Sequence, residues 1–415
     1  MTNLDRLLAE LCPDGVEFTE LHVAFDIKNG YTPSKGTLDF WKDGTIPWFR
    51  MEDIRENGRI LSDSIQHITP AAVKGKLFPA DSIIIATSAT IGEHALLTVE
   101  ALANQRFTFL SKKKEYEEKI DMKFFFYVCF TLDEFCKENT TLGNFNSVDM
   151  TKFRRFRFPL PPLPIQQEIV RILDNFTELT AELTAELTAR KRQYEYYRNA
   201  LLSFDCSQSV NVERESRTRV RRVTLGEVAE FRYGFTDTAK NQGSARFIRI
   251  TDIGDNGKLQ AGENKYIDLT DDSAKYLLEQ GDLLVARTGA TYGKTMLFED
   301  DALAVYASFL IRIRFAENTV LPAYYWHFTQ SGLYWEQANK LVSKAGQPQF
   351  NANALKMVVI SMPPIDEQER IIALLDRFDV LSNDITAGLP AEIAARRKQY
   401  EYYRDKLLTF KEKAA

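Results

Sequence analysis

Arg287, Thr288, Tyr292 and Lys294 stand within one eight-residue stretch, RTGATYGK, directly after the apolar run LLVA. A glycine-rich loop that follows a strand and ends in lysine is a pattern that can cradle phosphate through backbone N–H groups. A Walker loop needs four residues between its first glycine and the Gly-Lys pair, whereas GATYGKT (289–295) has three. Its counterpart SATIGEH (88–94) has no lysine at all. The better reading is a turn between two strands, displaying a cation, hydroxyls and a ring.

Such groups recur along the chain. GYTPSK (30–35) supplies Tyr31, Thr32, Ser34 and Lys35, and YGFTDTAK (233–240) supplies Tyr233 and Lys240. Ser88 and Thr90 stand where the second half has Arg287, Thr288 and Lys294, while Arg50 and Arg249 occupy matching places. LGNFNS (142–147) offers Asn144 and Asn146, and the segment around AGQPQFNAN (345–353) offers Lys344, Gln347, Gln349 and Asn351. Asn and Gln pair bidentately with adenine and Arg with guanine in the major groove, and lysine meets phosphate as a point charge. Each group alone is ordinary turn chemistry. Their recurrence in both halves points to nucleic-acid contact.

Two basic clusters accompany them: KFRRFRF (152–158), with Lys152 and Arg154, and ERESRTRVRR (213–222). Alternating Arg and Phe in the first predicts a strand with one cationic face.

Catalytic constellations are missing. There is no G-x-S-x-G, H-E-x-x-H or kinase-like set. The Pro-Pro pairs at 161–162 and 363–364 lack the preceding Asn or Asp and the following aromatic of an amino-methyltransferase site. Four cysteines and four histidines are scattered with no CxxC or HxxxH pair, against a zinc site or a disulfide framework. Asp53 and Asp252, at equivalent places in the two halves, read as turn-forming carboxylates rather than as acid–base groups.

At 415 residues, 44% hydrophobic and 27% charged, the chain has the composition of a globular protein of two to three domains. The acidic MTNLDRLLAELCPDG start makes a poor targeting peptide, and no apolar run approaches bilayer length, so a cytoplasmic location is expected. The formal charge of −5 argues mildly against wholesale nucleic-acid binding, although phosphate contact needs only a local basic face.

The elements that must hold these loops are written twice. QYEYYR stands at 193–198 and again at 399–404. LPIQQEIVRILDNF (163–176) aligns with IDEQERIIALLDRF (365–378), each after a proline-rich entry. Ile169, Ile172, Leu173, Phe176, Leu179, Leu183 and Leu187 form one stripe of a helix from about 165 to 203. Ile371, Leu374, Leu375, Phe378, Leu381 and Ile385 form its counterpart, which GLP (388–390) should kink or break. Between them, IPWFRMEDIRENGRI (46–60) resembles ARFIRITDIGDNGKL (245–259), and FTELHVAF (18–25) resembles VTLGEVAEF (223–231). LDRLL (4–8) resembles the helix tails RNALL (198–202) and RDKLL (404–408), so both chain ends belong to one unit. The arrangement is α+β: two mixed α/β globules (1–160 and 209–360) related by pseudo-two-fold symmetry, separated by two long antiparallel helices (161–208 and 361–415).

Tyr194, Tyr196, Tyr197, Tyr400, Tyr402 and Tyr403 occupy more than one helical face, so they cannot all enter one helix–helix seam. A duplicated aromatic face implies two copies of one partner.

With the tandem TAEL tetrapeptides at 180–183 and 184–187, this organisation resembles the specificity subunit of type I restriction-modification systems, in its IC-like branch. The resemblance implies a non-catalytic reader of double-stranded DNA with a target-recognition globule for each half of a split site. It implies two methyltransferase subunits and two translocase/nuclease subunits as partners. It also implies no cofactor in this chain, with S-adenosylmethionine, ATP and magnesium used by those subunits. The rival reading is an assembly scaffold whose globules bind protein.

Overall fold

A computed structural model of the chain describes residues 2–141, 146–204, 220–260, 262–343, 346–383 and 388–414. The chain divides into two compact units, Met1–Ala181 with Ala395–Ala415, and Glu182–Ala394. Both chain ends thus fold into the first unit, as the helix-tail likeness of LDRLL requires.

In the first unit a five-stranded sheet runs in the order Phe25–Asn29, Phe107–Lys112, Ser82–Ala86, His94–Leu97, Ile60–Leu61. The pairs are antiparallel except the last, which is parallel. A small mixed sheet beside it sets Ile46–Phe49 between an antiparallel neighbour, His67–Ile68, and a parallel one, Leu102–Ala103. In the second unit Ala229–Tyr233, Leu310–Phe315, Leu283–Ala286 and Thr295–Leu297 form an antiparallel sheet in the corresponding order. Its small mixed sheet sets Ala245–Ile248 between Tyr266–Ile267 and Ala304–Tyr306 with the same directions. The sequence likenesses therefore mark equivalent strands.

The entry to the loop after Asn29 in one unit and Tyr233 in the other is set by glycine. A Cβ on Gly30 would sit 2.2 Å from the Ala103 carbonyl oxygen, and one on Gly234 would sit 2.2 Å from that of Ala307. The backbone can cross the small sheet's strand end only without a side chain. This explains the shared G-[YF]-T start of the two loops.

The helix Leu163–Ser203 has 41 residues, roughly 60 Å at 1.5 Å per residue. Ile165, Ile169 and Leu173 are buried in the first unit's core. Leu201 and Leu202 are buried in the second unit's core. Within the first unit the two helices run antiparallel: Leu163 lies near Lys413 across one cleft, and Phe176 stacks on Tyr403 at 5.4 Å.

The second copy departs from a single long helix. Ile365–Asn383 and Leu389–Leu407 are separate helices, with Pro390 at the second position of the latter. Proline has no N–H to continue a preceding helix but suits a first turn, so GLP starts a new helix. Ile385 lies outside the described residues. Leu374 and Leu381 are exposed at 39% and 51%, so the buried face is narrower than the expected stripe. It is carried by Ile371, Leu375, Asp379 and Ser382.

KFRRFRF is not one strand. Met150–Arg154 is a short helix capped by Asp149, whose carboxylate accepts from Thr151 N at 2.9 Å and Lys152 N at 3.2 Å. The strand begins only at Arg157. Phe153 and Phe158 both enter the core, although five residues apart they would face opposite sides of a single strand.

One side chain in each unit joins the globule to its helix. Gln166 Nε2 donates to the Lys119 and Pro161 carbonyls, both at 2.7 Å, while its Oε1 accepts from Asp121 N at 2.8 Å. Gln368 repeats this: Nε2 donates to Thr319 and Pro363 carbonyls at 2.9 Å, and Oε1 accepts from Leu321 N at 2.8 Å. Both are fully buried. Replacing either by leucine strands three backbone groups and is expected to destabilise its unit by about 1–3 kcal/mol. Denaturant unfolding monitored for each variant checks this, and an unchanged midpoint would refute it.

Candidate nucleic-acid interface

In each unit the loops at one end of the larger sheet converge. In the second unit these follow Tyr233 and Ala286 and precede Leu310. Phe350 N donates to the Arg287 carbonyl at 2.7 Å and Gly289 N to the Pro348 carbonyl at 3.1 Å. The 346–351 segment is thereby zipped onto the 287–289 turn. Thr288 is buried, and its Oγ1 accepts from Gln349 Nε2 at 2.9 Å. Tyr233, 43% exposed, accepts from Ala352 N at 3.1 Å through its hydroxyl. Asn351 caps the helix Ala352–Lys356 by accepting from Ala354 N. Gln347 is exposed beside Gly289. Arg287 donates through Nε to the Ser308 carbonyl at 2.9 Å, its guanidinium lying 5.3 Å from the Tyr233 ring centre and 5.6 Å from that of Phe309.

The structure thus brings Tyr233, Arg287, Thr288, Gln347, Gln349 and Asn351 together. Thr288 accepts from Gln349 and donates to the Pro348 carbonyl at 3.4 Å, so this pair shapes the loop. Four other expected contacts are engaged elsewhere. Tyr292 donates to Asn339 Oδ1 at 2.7 Å, and Lys294 pairs with Asp255. Lys240 pairs with Asp268 at 2.7 Å and Arg249 with Asp252 at 2.8 Å. Lys344 lies outside the described residues.

In the first unit the corresponding loops follow Asn29 and Ala86 and precede Phe107. A hydroxyl chain ties the three strand ends, Asn29 Oδ1 to Thr108 at 2.9 Å and Thr108 to Thr87 at 2.8 Å. Thr32 donates to Gln105 Oε1 at 2.5 Å, Ser88 bridges to Ser147, and Thr90 N donates to the Ser88 carbonyl. Asn146, Ser34 and Lys35 are exposed, while Asn144 lies outside the described residues. Tyr31 turns away to Ala72, donating to its carbonyl at 3.3 Å and accepting from Lys74 N. Arg50 lies against the Trp48 ring at 5.8 Å with its Nε buried, so it belongs to the fold. Lys152 donates to Asn139 Oδ1 at 3.2 Å and Arg154 is exposed, both on the short helix rather than on a strand face.

Asp53 accepts from Arg50 N and Ile65 N, both at 2.6 Å, and Asp252 accepts from Arg249 N at 2.8 Å. Both carboxylates close turns, in keeping with their sequence reading. GATYGKT joins Leu283–Ala286 to Thr295–Leu297 as a turn. His94, fully buried, bonds Asp133 at 2.7 Å, and burial pushes its pKa down. That pair packs under the sheet rather than lining a cleft. Gln105, Arg106 and Phe309 were missed by sequence reasoning. Their signal lay in the strand ends that follow Ala103 and Ala307.

The helix tyrosines sort by angle. At 100° per residue, positions 194 and 197 share a face while 196 points nearly opposite to 194. Tyr194 is 4% exposed, stacks on Phe378 at 6.0 Å, and has its phenol pushed up to about 12 by burial. Tyr197 also stacks on Phe378, at 5.7 Å. In the first unit Tyr400 packs against the core and Tyr403 stacks on Phe176. Of the six tyrosines expected to face a partner, Tyr194 is buried and Tyr197, Tyr400 and Tyr403 are half-buried, while Tyr196 at 55% and Tyr402 at 61% exposure stand on the surface.

The type I restriction modification DNA specificity domain matches twice, over residues 13–190 and 219–395. The chain is 42% identical over 392 residues to the Escherichia coli type I restriction enzyme EcoprrI specificity subunit, with 89% of each chain covered. It is 32% identical over 330 residues to the Escherichia coli EcoR124I/EcoR124II specificity subunit, with 71% of this chain and 72% of that one covered. Among solved structures, it is similar in fold to a chain from a study of complex assembly and conformational transition of the type I R-M system. That likeness has a TM-score of 0.65 at 18% identity, over 95% of this chain and 98% of that one.

Proposed function

The chain belongs to the type I restriction-modification DNA specificity family, and from that premise we propose how its loop faces and helix faces are used. It is a non-catalytic specificity subunit that recognises a bipartite DNA site and assembles with methyltransferase and restriction subunits. The observation that carries the residue assignment is the pair of loop faces at the same end of equivalent sheets. One face holds Thr32, Ser34, Lys35, Ser88, Thr90 and Asn146. The other holds Tyr233, Arg287, Gln347 and Asn351. Each face reads one half-site. Lys294, Lys240 and Arg249 reach DNA only by exchanging a carboxylate for phosphate, so they contribute less than unpaired cations.

Two methyltransferase and two translocase/nuclease subunits complete the assembly in the cytoplasm, and S-adenosylmethionine, ATP and magnesium serve those subunits. The tandem TAEL tetrapeptides support assignment to the IC-like branch. The formal charge of −5 fits a reader whose partners supply much of the phosphate contact.

Reconstitution tests this reading. The chain alone is expected neither to methylate nor to cleave DNA. Together with a methyltransferase subunit it is expected to direct adenine-N6 methylation to one split sequence, with affinity falling as salt rises. Salt-insensitive binding, or methylation without sequence preference, would favour a protein-binding scaffold.

Tyr196 and Tyr402 are the contacts proposed for the methyltransferase subunit, because exposed aromatics dominate interface energetics. Their joint replacement by alanine should weaken that subunit's binding at least ~10-fold, about 1.4 kcal/mol, with the melting temperature nearly unchanged. Titration calorimetry beside thermal melting reads both quantities. Equal affinity at equal stability would refute the assignment.

A further inference from the structure

We propose that Arg106 in the first unit and Arg287 in the second read a guanine in their respective half-sites, each presented from the opposite member of one backbone pair that both units share. This rests on the reading of the loop faces as DNA contacts. In the first unit Ala86 pairs with Phe107 at the strand ends, and one step further Thr87 N donates to the Arg106 carbonyl at 3.0 Å. In the second unit Ala286 pairs with Leu310, and one step further Arg287 N donates to the Phe309 carbonyl at 3.0 Å. The two backbone pairs are equivalent. Their occupants are Thr87 and Arg106 in one unit, Arg287 and Phe309 in the other. The arginine has changed sides.

A single arginine per pair has a physical reason. Residues facing each other across antiparallel strands stand about 4.5–5.5 Å apart, where two like charges repel. Either member presents its side chain at the same sheet end, so a cation on one suffices. An alignment scanned position by position does not show this, because Arg287 matches Thr87 and Arg106 matches Phe309.

Both arginines are held at the backbone, Arg106 exposed and Arg287 half-buried at the sheet end. Arg106 N donates to Asn104 Oδ1 at 3.0 Å, its carbonyl takes Thr87 N, and the residue is exposed. Its neighbour Gln105 is fixed by Thr32. Arg287 is held further: Nε is spent on the Ser308 carbonyl, and the guanidinium lies against the Tyr233 and Phe309 rings. The Nη edge of the fork remains as the donor pair for guanine O6 and N7. Phe309, 51% exposed, and Tyr233 act as positioning residues that limit the rotamers the arginine must give up on binding. Lys240, Arg249 and Lys294 all carry carboxylate partners, whereas among the described residues neither Arg106 nor Arg287 has one within ion-pair distance.

The test is the methylome written by the chain reconstituted with its methyltransferase subunits. The parent should prefer guanine at one position of each half-site by roughly 5- to 150-fold over other bases. Arg106→Ala should level that preference to within about 3-fold at one position of one half-site, and Arg287→Ala at one position of the other. The untouched half-site in each variant is the internal control for folding. If an alanine variant methylates nothing, Arg106→Met and Arg287→Met, which keep the unbranched stem, decide: relaxation at the same single position supports the proposal. An unaltered site with uniformly weaker methylation would make these phosphate contacts and overturn it, as would relaxation of the same half-site by both variants. A parent complex that methylates no split site would overturn the underlying reading and this proposal with it.

Discussion

A chain in which residues 220–362 are exchanged for the same segment of another family member should, once reconstituted with its methyltransferase subunits, direct methylation to a site with one half-site replaced and the other unchanged. The boundaries follow from the second unit's own closure. Arg221–Thr224 pairs antiparallel with Val359–Met362, so a cut outside that pair carries the whole strand framework. The exchanged body must then seat on the host's helices. Several polar contacts that seat it are directed at backbone: Gln368 takes Leu321 N and donates to the Thr319 carbonyl, and Asn199 Oδ1 accepts from Gly332 N at 3.1 Å. These survive a change of side chains in the donor. Two contacts depend on side chains of the exchanged body: His327, which bonds Asp376 at 2.8 Å and lies 3.4 Å from the Tyr194 hydroxyl, and Lys258, which pairs with the buried Asp379 at 2.5 Å. A donor that keeps both residues should fold near parental stability, and one without either should lose about 1–3 kcal/mol by stranding its buried partner. The methylome of the exchanged protein is the measurement. Altered bases in both halves would show that the units do not read independently.

The repeat, the strands and the absence of catalytic motifs were legible because they depend on local spacing and on identity between distant segments. QYEYYR and its helix could be aligned by eye, and GLP marked the break that separates Ile365–Asn383 from Leu389–Leu407. Other features needed the fold. The first unit's face assembles from loops near 31, 88, 105 and 146 because Phe25–Asn29 pairs with Phe107–Lys112 and not with its neighbours in sequence. Arg106 was invisible without that pairing. Lys294 and Asp255 are 39 residues apart, and Lys240 and Asp268 are 28 apart, so no local rule announces those ion pairs. The pairing of Arg249 with Asp252 was within reach, since three-residue spacing in a capping turn places them together. Two readings failed for identifiable reasons. KFRRFRF alternates only from Phe156 to Phe158, and Asp149 ahead of it caps a helix, a signal that outranks so short a period-2 pattern. The tyrosine cluster was assigned whole to a partner although it was read as spanning more than one face, and the angle between positions 194 and 196 already separates seam from surface.

Deleting Thr184–Leu187 should leave both half-sites intact and shorten the unspecified stretch between them. These four residues are one of two adjacent TAEL tetrapeptides, inside the 41-residue helix that leads from one half of the repeat to the other. Thr184 and Glu186 are exposed and Leu187 is half-buried, so the segment contributes little to either unit's core. Its removal should cost less stability than a core substitution. Four residues account for about 6 Å of helix and about 400° of rotation, a full turn plus roughly 40°. A DNA base-pair step is about 3.4 Å along the axis and a turn takes about 10–10.5 steps, or roughly 35° each. The displacement therefore corresponds to one or two base pairs, and the residual rotation to about one. Both quantities point the same way, so the deletion resets the spacing without misaligning the reading faces. A non-integral change, such as removal of two residues, rotates the downstream part of the helix by about 200° and should abolish methylation of every split site. Sequencing the methylated adenines of both deletion proteins decides between these outcomes. A four-residue deletion that methylates the parental spacing at the parental rate would show that this helix does not set the distance between half-sites.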